Sequence, residues 1–225
     1  MDLQSIQRIA GDSGGIVYLM ALMLLVGLTV IIERSYYFWK INTQGQHVMT
    51  ALEGSETLDQ GLLDKLGEGF SHTPHCKVVK TALEHNLNHD FDRISDKLDE
   101  SIMREAPSID RFLWILDTIV TMAPLLGLLG TIIGMFNAFQ VLGSAGGSEP
   151  TKITGGVAEA LIATASGLFI AIIGLFFFNA LNNRVRIIMH QLETIKKMLL
   201  NRMYHHYPDM VSERVVNEKA TLKGV

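Results

Sequence analysis

Apolar and polar positions divide this chain into long blocks rather than the short alternating segments of a water-soluble domain. Gly15–Ile32 (GIVYLMALMLLVGLTVII) has 18 residues without a charge; Phe112–Leu142 has one, Asp117, and Thr154–Leu181 has one, Glu159. A bilayer core of about 30 Å takes roughly 20 residues of helix. Each block is therefore expected to be a transmembrane helix, at 15–32, 112–142 and 154–181. The alternative is three buried helices of a soluble fold. For the first block a secretory signal peptide is a further alternative, because Arg8 precedes it. No small-x-small cleavage site follows, and Tyr36, Tyr37 and Trp39 are placed like an interfacial aromatic belt, so a retained anchor is expected.

The segments between the blocks have helical periodicity. Ser55 with Thr57 is expected to start a short helix through Leu66, ended by Gly67 and Gly69. Pro74 would open another, burying Val78, Val79, Ala82 and Leu83. Phe91, Ile94, Leu98, Ile102, Ile109 and Leu113 recur at helical spacing with a gap near Pro107. They predict a helix that runs, kinked at Pro107, straight into the second span. After the third span, Val185, Ile188, Leu192, Ile195, Leu199 and Met203 alternate three- and four-residue steps, a seam that packs on another helix. Its natural partner is the 91–113 helix, so spans two and three are expected to continue beyond the membrane as a paired stalk. From about Pro208 the pattern fades and a mobile tail is expected.

Composition agrees with a membrane protein, at 48% apolar and 19% charged residues. The distribution of Lys and Arg says more than the net charge of −4. Of 19 such residues, only Arg8 and Lys152 lie before the first block or between the second and third. The positive-inside rule then puts residues 1–14 and 143–153 in the periplasm, and 33–111 and 182–225 in the cytoplasm. The single cysteine, Cys76, falls on the cytoplasmic side, so no disulfide framework is expected. The fold class expected is an all-α membrane protein with three transmembrane helices and long cytoplasmic helical extensions, in a bacterial inner membrane.

Small residues form a stripe on each of the last two spans. Ala123, Gly127, Gly130, Gly134 and Ala138 fall at steps of 4, 3, 4 and 4; Gly156, Ala160, Ala163, Gly167, Ala171 and Gly174 at 4, 3, 4, 4 and 3. Helices in lipid gain little by hiding leucine and associate by close backbone approach, so these two spans should pack on each other. Beside the stripes sit Thr131 and Asn137, and Glu159, Thr164 and Ser166. Counting from the span ends puts Thr131 and Thr164 at similar depth, with Glu159 about 7–8 Å further out. A membrane threonine often only bonds its own backbone. A carboxylate costs roughly 2.5–3.5 kcal/mol to insert, and so faces water, a partner or the interface.

With these residues in place, the sequence resembles the MotA/TolQ/ExbB proton channel family, closest to ExbB and then TolQ. The resemblance rests on TMAPLLGLLGTIIGMFNAF (121–139) and ITGGVAEALIATASGLFIAIIGLFFFNAL (153–181), about a fifth of the chain. It implies a ring-shaped homo-oligomer, a pentamer, around a pore lined by spans two and three. It also implies an ExbD- or TolR-like single-span partner inside the pore that carries the proton-bearing aspartate, and a TonB- or TolA-like protein that receives the work. By motif position, Thr131, Glu159 and Thr164 are the proton-pathway residues. Gly127, Gly130, Gly134, Asn137, Ala160, Ala163, Gly167 and Asp117 are candidates for the pore or for helix packing. Protons are the coupling ion, and no cofactor is implied. The family often has proline where this chain has Ile173, next to Gly174. Such a subunit is not an enzyme. The alternatives are a TolQ-type envelope subunit and a passive membrane scaffold.

Other chemistry is thinly supported. His72, His75 and Cys76, with His85 and His89 at i, i+4, could hold a structural zinc ion, although most histidines lie in polar sequence. Asp117 is either a proton exit or a solvated carboxylate at the inner interface. GSAGGSEP (143–150) is a connector rather than a nucleotide loop, and nothing points to nucleic acid.

Overall fold

The computed structural model describes residues 15–54, 73–85, 91–144 and 150–222. Over these residues the chain forms five helices: α1 (Ile16–Glu53), α2 (Pro74–His85), α3 (Phe91–Ile109), α4 (Leu113–Ser144) and α5 (Pro150–Leu222). The helix expected at Ser55–Leu66 lies outside the described residues. Contacts divide the chain into two units. One holds the described residues up to Tyr36 together with Arg111–Asn183, and the other holds Tyr37–Asp110 together with the chain from Arg184 onward.

The first unit is built from the apolar blocks. α1, α4 and α5 are each long and apolar enough to cross a membrane. An apolar segment in lipid must satisfy its backbone internally, and a helix does so without help from its neighbours. Ile16, Met20, Ile119, Ala123, Ala163, Ile170 and Ala171 form the buried cluster between the helices. Most of the large apolar side chains remain outside it: Leu25, Leu125, Phe136, Phe169 and Ile172 are all exposed. Helices apolar all round, with their small residues turned inward, are what membrane packing produces.

The stripes meet as the sequence predicts. A Cβ placed on Gly134 would lie 2.9 Å from Ala160 Cβ, one on Gly130 2.7 Å from Ala163 Cβ, and one on Gly174 2.9 Å from Val120 Cγ2. Residue numbers that rise on α5 meet numbers that fall on α4, so the two helices are antiparallel.

One expectation needs correction. The helix from Phe91 does not run into α4. It continues through Pro107 to Ile109 and stops, and Phe112 adopts a left-handed φ of 67° before α4 begins. A non-glycine residue there costs about 1–2 kcal/mol. The guanidinium groups of Arg34 and Arg111 lie 5.2 Å and 4.5 Å from the Phe112 ring centroid and offset part of that cost. At the other end of the chain, α5 is helical to Leu222, past the point near Pro208 where the apolar pattern fades.

The second unit packs the amphipathic helices. Thr73 caps α2, its hydroxyl accepting from the Cys76 N–H at 3.4 Å, with Pro74 in the first turn where a missing N–H is harmless. Val78, Val79 and Ala82 are buried, while Leu83 and Phe91 are only half-buried. Lys77 bonds Glu105 at 2.7 Å, and Thr81 bonds Ser101 at 3.3 Å, tying α2 to α3. Ile94, Leu98 and Ile102 of α3 and Ile188, Leu192, Ile195, Leu199 and Met203 of α5 are all buried, as their spacing predicts; Val185 is half-buried. Lys196 Nζ meets Asp99 Oδ2 at 2.5 Å, so the pairing of α3 with α5 is also explicit.

Candidate functional site: a threonine pair between two apolar helices

Gly127 and Gly167 set the distance between α4 and α5. A Cβ on Gly127 would stand 3.1 Å from both the Ala163 carbonyl oxygen and Thr164 Cα. One on Gly167 would stand 3.0 Å from Gly127 Cα and closer still to the Ala123 carbonyl. With backbone against backbone, short side chains next to the stripe can reach across. Thr164 Oγ1 donates to the Gly127 carbonyl at 3.0 Å. Thr131 Oγ1 lies 3.2 Å from the same carbonyl, in its own helix, and 3.3 Å from the carbonyl of Ala160 on α5. The two hydroxyls also contact each other directly.

Two hydroxyl protons thus have two carbonyls and each other to choose from. A hydroxyl holds one donor and two acceptor sites, so donors can be redistributed here with little movement of heavy atoms. Such a pair can donate to an arriving carboxylate or accept from an arriving acid. Both side chains are half-buried rather than sealed in the interface.

The remaining sequence candidates separate into groups. Gly127, Gly130, Gly134, Ala160, Ala163 and Gly167 all lie in the α4–α5 contact. Asp117 is exposed; it stands 14 residues before Thr131, which is within about 40° of the same helix face. Asn137 is exposed and turned about 120° from Thr131. Glu159 is half-buried, and five residues turn it about 140° around α5 from Thr164. The carboxylate and the hydroxyl therefore point to different sides of one helix. Sequence spacing alone already contained that fact.

Among the described residues no group of three or more side chains could hold a metal ion. His75 has no exposure at all and neither of its ring nitrogens has a hydrogen-bond partner. It stands one helical turn before the buried Val78 and Val79, which is the signal that could have placed it inside.

The MotA/TolQ/ExbB proton channel family matches residues 71–194, more than half of the chain, including α4, the threonine pair and Glu159. The chain belongs to this family. It is 32% identical over 205 residues to a biopolymer transport protein "ExbB-like 3" of Synechocystis, covering 88% of this chain and 96% of that one. It is 30% identical over 188 residues to an ExbB homolog of Methanothermobacter thermautotrophicus, covering 83% and 66%. Similarity extends to the Tol-Pal system protein TolQ of Haemophilus influenzae, 28% identical over 182 residues and covering 72% and 80%. The family is a component of transport rather than an enzyme class, and three membrane-length helices agree with that.

Proposed function

We propose that this chain is the ring-forming proton-channel subunit of an inner-membrane energising complex of the ExbB–ExbD–TonB type, with its N-terminus in the periplasm and its C-terminus in the cytoplasm. Several copies, five by family resemblance, enclose a passage bordered by α4 and α5. A single-span partner helix of ExbD type enters it and carries the titrating carboxylate. Protons are the coupling ion. A TonB-like protein carries the resulting work across the periplasm to outer-membrane transporters.

The observation that carries this reading is the threonine pair. Thr131 and Thr164 bring two polar, rearrangeable hydroxyls together across a helix contact built of glycine and alanine. In a ring these pairs would form a belt of equivalent sites at one depth. A partner carboxylate could bond to one pair, lose or gain its proton, and move to the next. Each proton crossing supplies about 2.3 kcal/mol per 100 mV, enough to bias one step between equivalent contacts. Glu159, on another face of α5, would bear negative charge nearer the outer mouth and draw protons toward the passage.

The test is proton uptake by liposomes containing the chain with an ExbD-like partner. Wild type is expected to conduct only with the partner present, and Thr131→Val, Thr164→Val and Glu159→Ala to lose conduction while the complex stays assembled. Wild-type flux in all three, at equal incorporation, would refute the reading and leave a passive scaffold. The similarity to TolQ favours a second reading, a TolQ-type subunit of the Tol-Pal system. Conduction with a TolR-like partner and none with an ExbD-like one would select it.

A further inference from the structure

We propose that α3 of one copy docks along α5 of the next copy through a ladder of opposite charges, a contact that would fix neighbouring subunits in register outside the membrane. This rests on the ring reading above, and the occupant it commits to is a second copy of this chain. α5 turns Arg186, Glu193 and Lys197 outward at steps of seven and four residues, hence on one helix face, and all three are exposed. None of them makes an ion pair with a described residue. α3 and the turn after it present an exposed face of the same extent: Asp96, Met103 and Asp110 at seven-residue steps, with Arg104 alongside.

Within one copy the Lys196–Asp99 ion pair sets residue 196 level with residue 99. We take α3 to run antiparallel to α5, so that equal steps away from that pair in opposite directions stay level. On this scale Lys197 lies level with Asp96, Glu193 with Arg104 and Arg186 with Asp110, each to within about 3 Å of helix rise. Each of the three matches joins opposite signs. Rotation about an axis along the helices leaves levels unchanged, so a head-to-tail ring brings together groups that already share a level. Asp96 and Asp110 have no ion-pair partner among the described residues, and Arg104 has only Glu100, one turn away on its own helix. Met103 is 71% exposed in the middle of an open groove lined by Asp96, Asp99, Glu100 and Arg104, and offers an apolar anchor there.

Cross-linking tests this. Full-length chains in a Cys76→Ser background are made with two different tags, one carrying Asp96→Cys and the other Lys197→Cys, and are co-expressed and treated with a short thiol-reactive bridge. The expected product is a dimer band with both tags. It should be much weaker when Ser95→Cys, turned by about 100° on α3, replaces Asp96→Cys. Asp96→Lys alone should reduce the recovered ring severalfold, and Lys197→Asp in the same chain should restore it. An intact ring by native mass measurement, with no two-tag product and no rescue, would overturn this interface and leave the ring standing. Chains that remain single would overturn the ring reading and this interface with it.

Discussion

Thr164 donates its hydroxyl to the carbonyl of Gly127 across the contact between α4 and α5, so a side chain with a candidate role in proton transfer is also part of the seam. Hydrogen bonds between membrane helices average about 0.6 kcal/mol and reach roughly 1.7 kcal/mol. Thr164→Val, which keeps shape and removes the donor, is expected to lower stability in detergent by no more than that. Proton flux should fall far more steeply, and Thr164→Ser should recover most of it. Unfolding midpoints and liposome flux measured on the same preparations check the separation. Equal, modest losses in both would make the threonine a packing residue only.

Gly167 and Gly155 should behave oppositely. A Cβ at Gly167 would press on backbone atoms of Ala123 and Gly127, which cannot swing aside, while one at Gly155 meets nothing within 4 Å. Overpacking of this kind costs about 1–3 kcal/mol, against about 1 kcal/mol gained by replacing glycine with alanine in a helix. Gly167→Ala is therefore expected to be destabilised and Gly155→Ala to be neutral or stabilised. Thermal unfolding in a single detergent measures both.

How much of this could be read from the sequence depended on whether the cause was local. The apolar blocks and the small-residue stripes are periodic, and the glycines and alanines at the α4–α5 contact could be named in advance, although Val120, which meets Gly174, could not. The seam from Ile188 to Met203 was legible for the same reason. The break before α4 was not. Pro107 attracted the expected kink, but the chain turns at Phe112, where two arginines over the ring offset part of the cost of a backbone conformation that phenylalanine does not choose by itself. The meeting of Thr131 with Thr164 could be expected as shared depth; the actual contact required the glycines to bring the two backbones together. Glu159 was expected about 7–8 Å further out than Thr164, and the same spacing turns it about 140° around the helix.

His75 makes stability depend on pH. Burial lowers its pKa from 6.5 to about 4, and the nearby Gln191 amide raises it only in part. That amide is close, yet neither ring nitrogen reaches full hydrogen-bond geometry with it. The unfolded chain binds a proton at His75 below about pH 6.5, and the folded chain does so only near pH 4. The stabilisation from keeping the ring neutral is thus complete above pH 6.5 and is lost as pH falls toward 4, by roughly 3 kcal/mol at most. Denaturant unfolding at pH 7 and pH 4.5 should show the loss, and His75→Phe should remove that part of it. An unchanged pH dependence in the variant would assign the loss to carboxylates instead.

Gly45 explains how a histidine and a glutamine can be buried side by side. A Cβ at this position would lie 2.6 Å from both Gln191 Oε1 and His75 Nε2. Gln191 also donates through Nε2 to Asn42 Oδ1 at 3.1 Å, so its amide is held from the α1 side and cannot retreat freely. The His75 ring, with no exposure, can move only if α2 moves with it. Gly45→Ala should therefore cost about 1–3 kcal/mol by overpacking, beyond the roughly 1 kcal/mol that alanine returns as helix propensity. The cost should depend on the ring. In a His75→Ala background the same substitution meets only the amide, so the two changes should couple by more than about 0.5 kcal/mol, the threshold for residues in contact. A double-mutant cycle from denaturant midpoints measures this directly. Strict additivity would mean that α2 does not pack on α1 through this glycine.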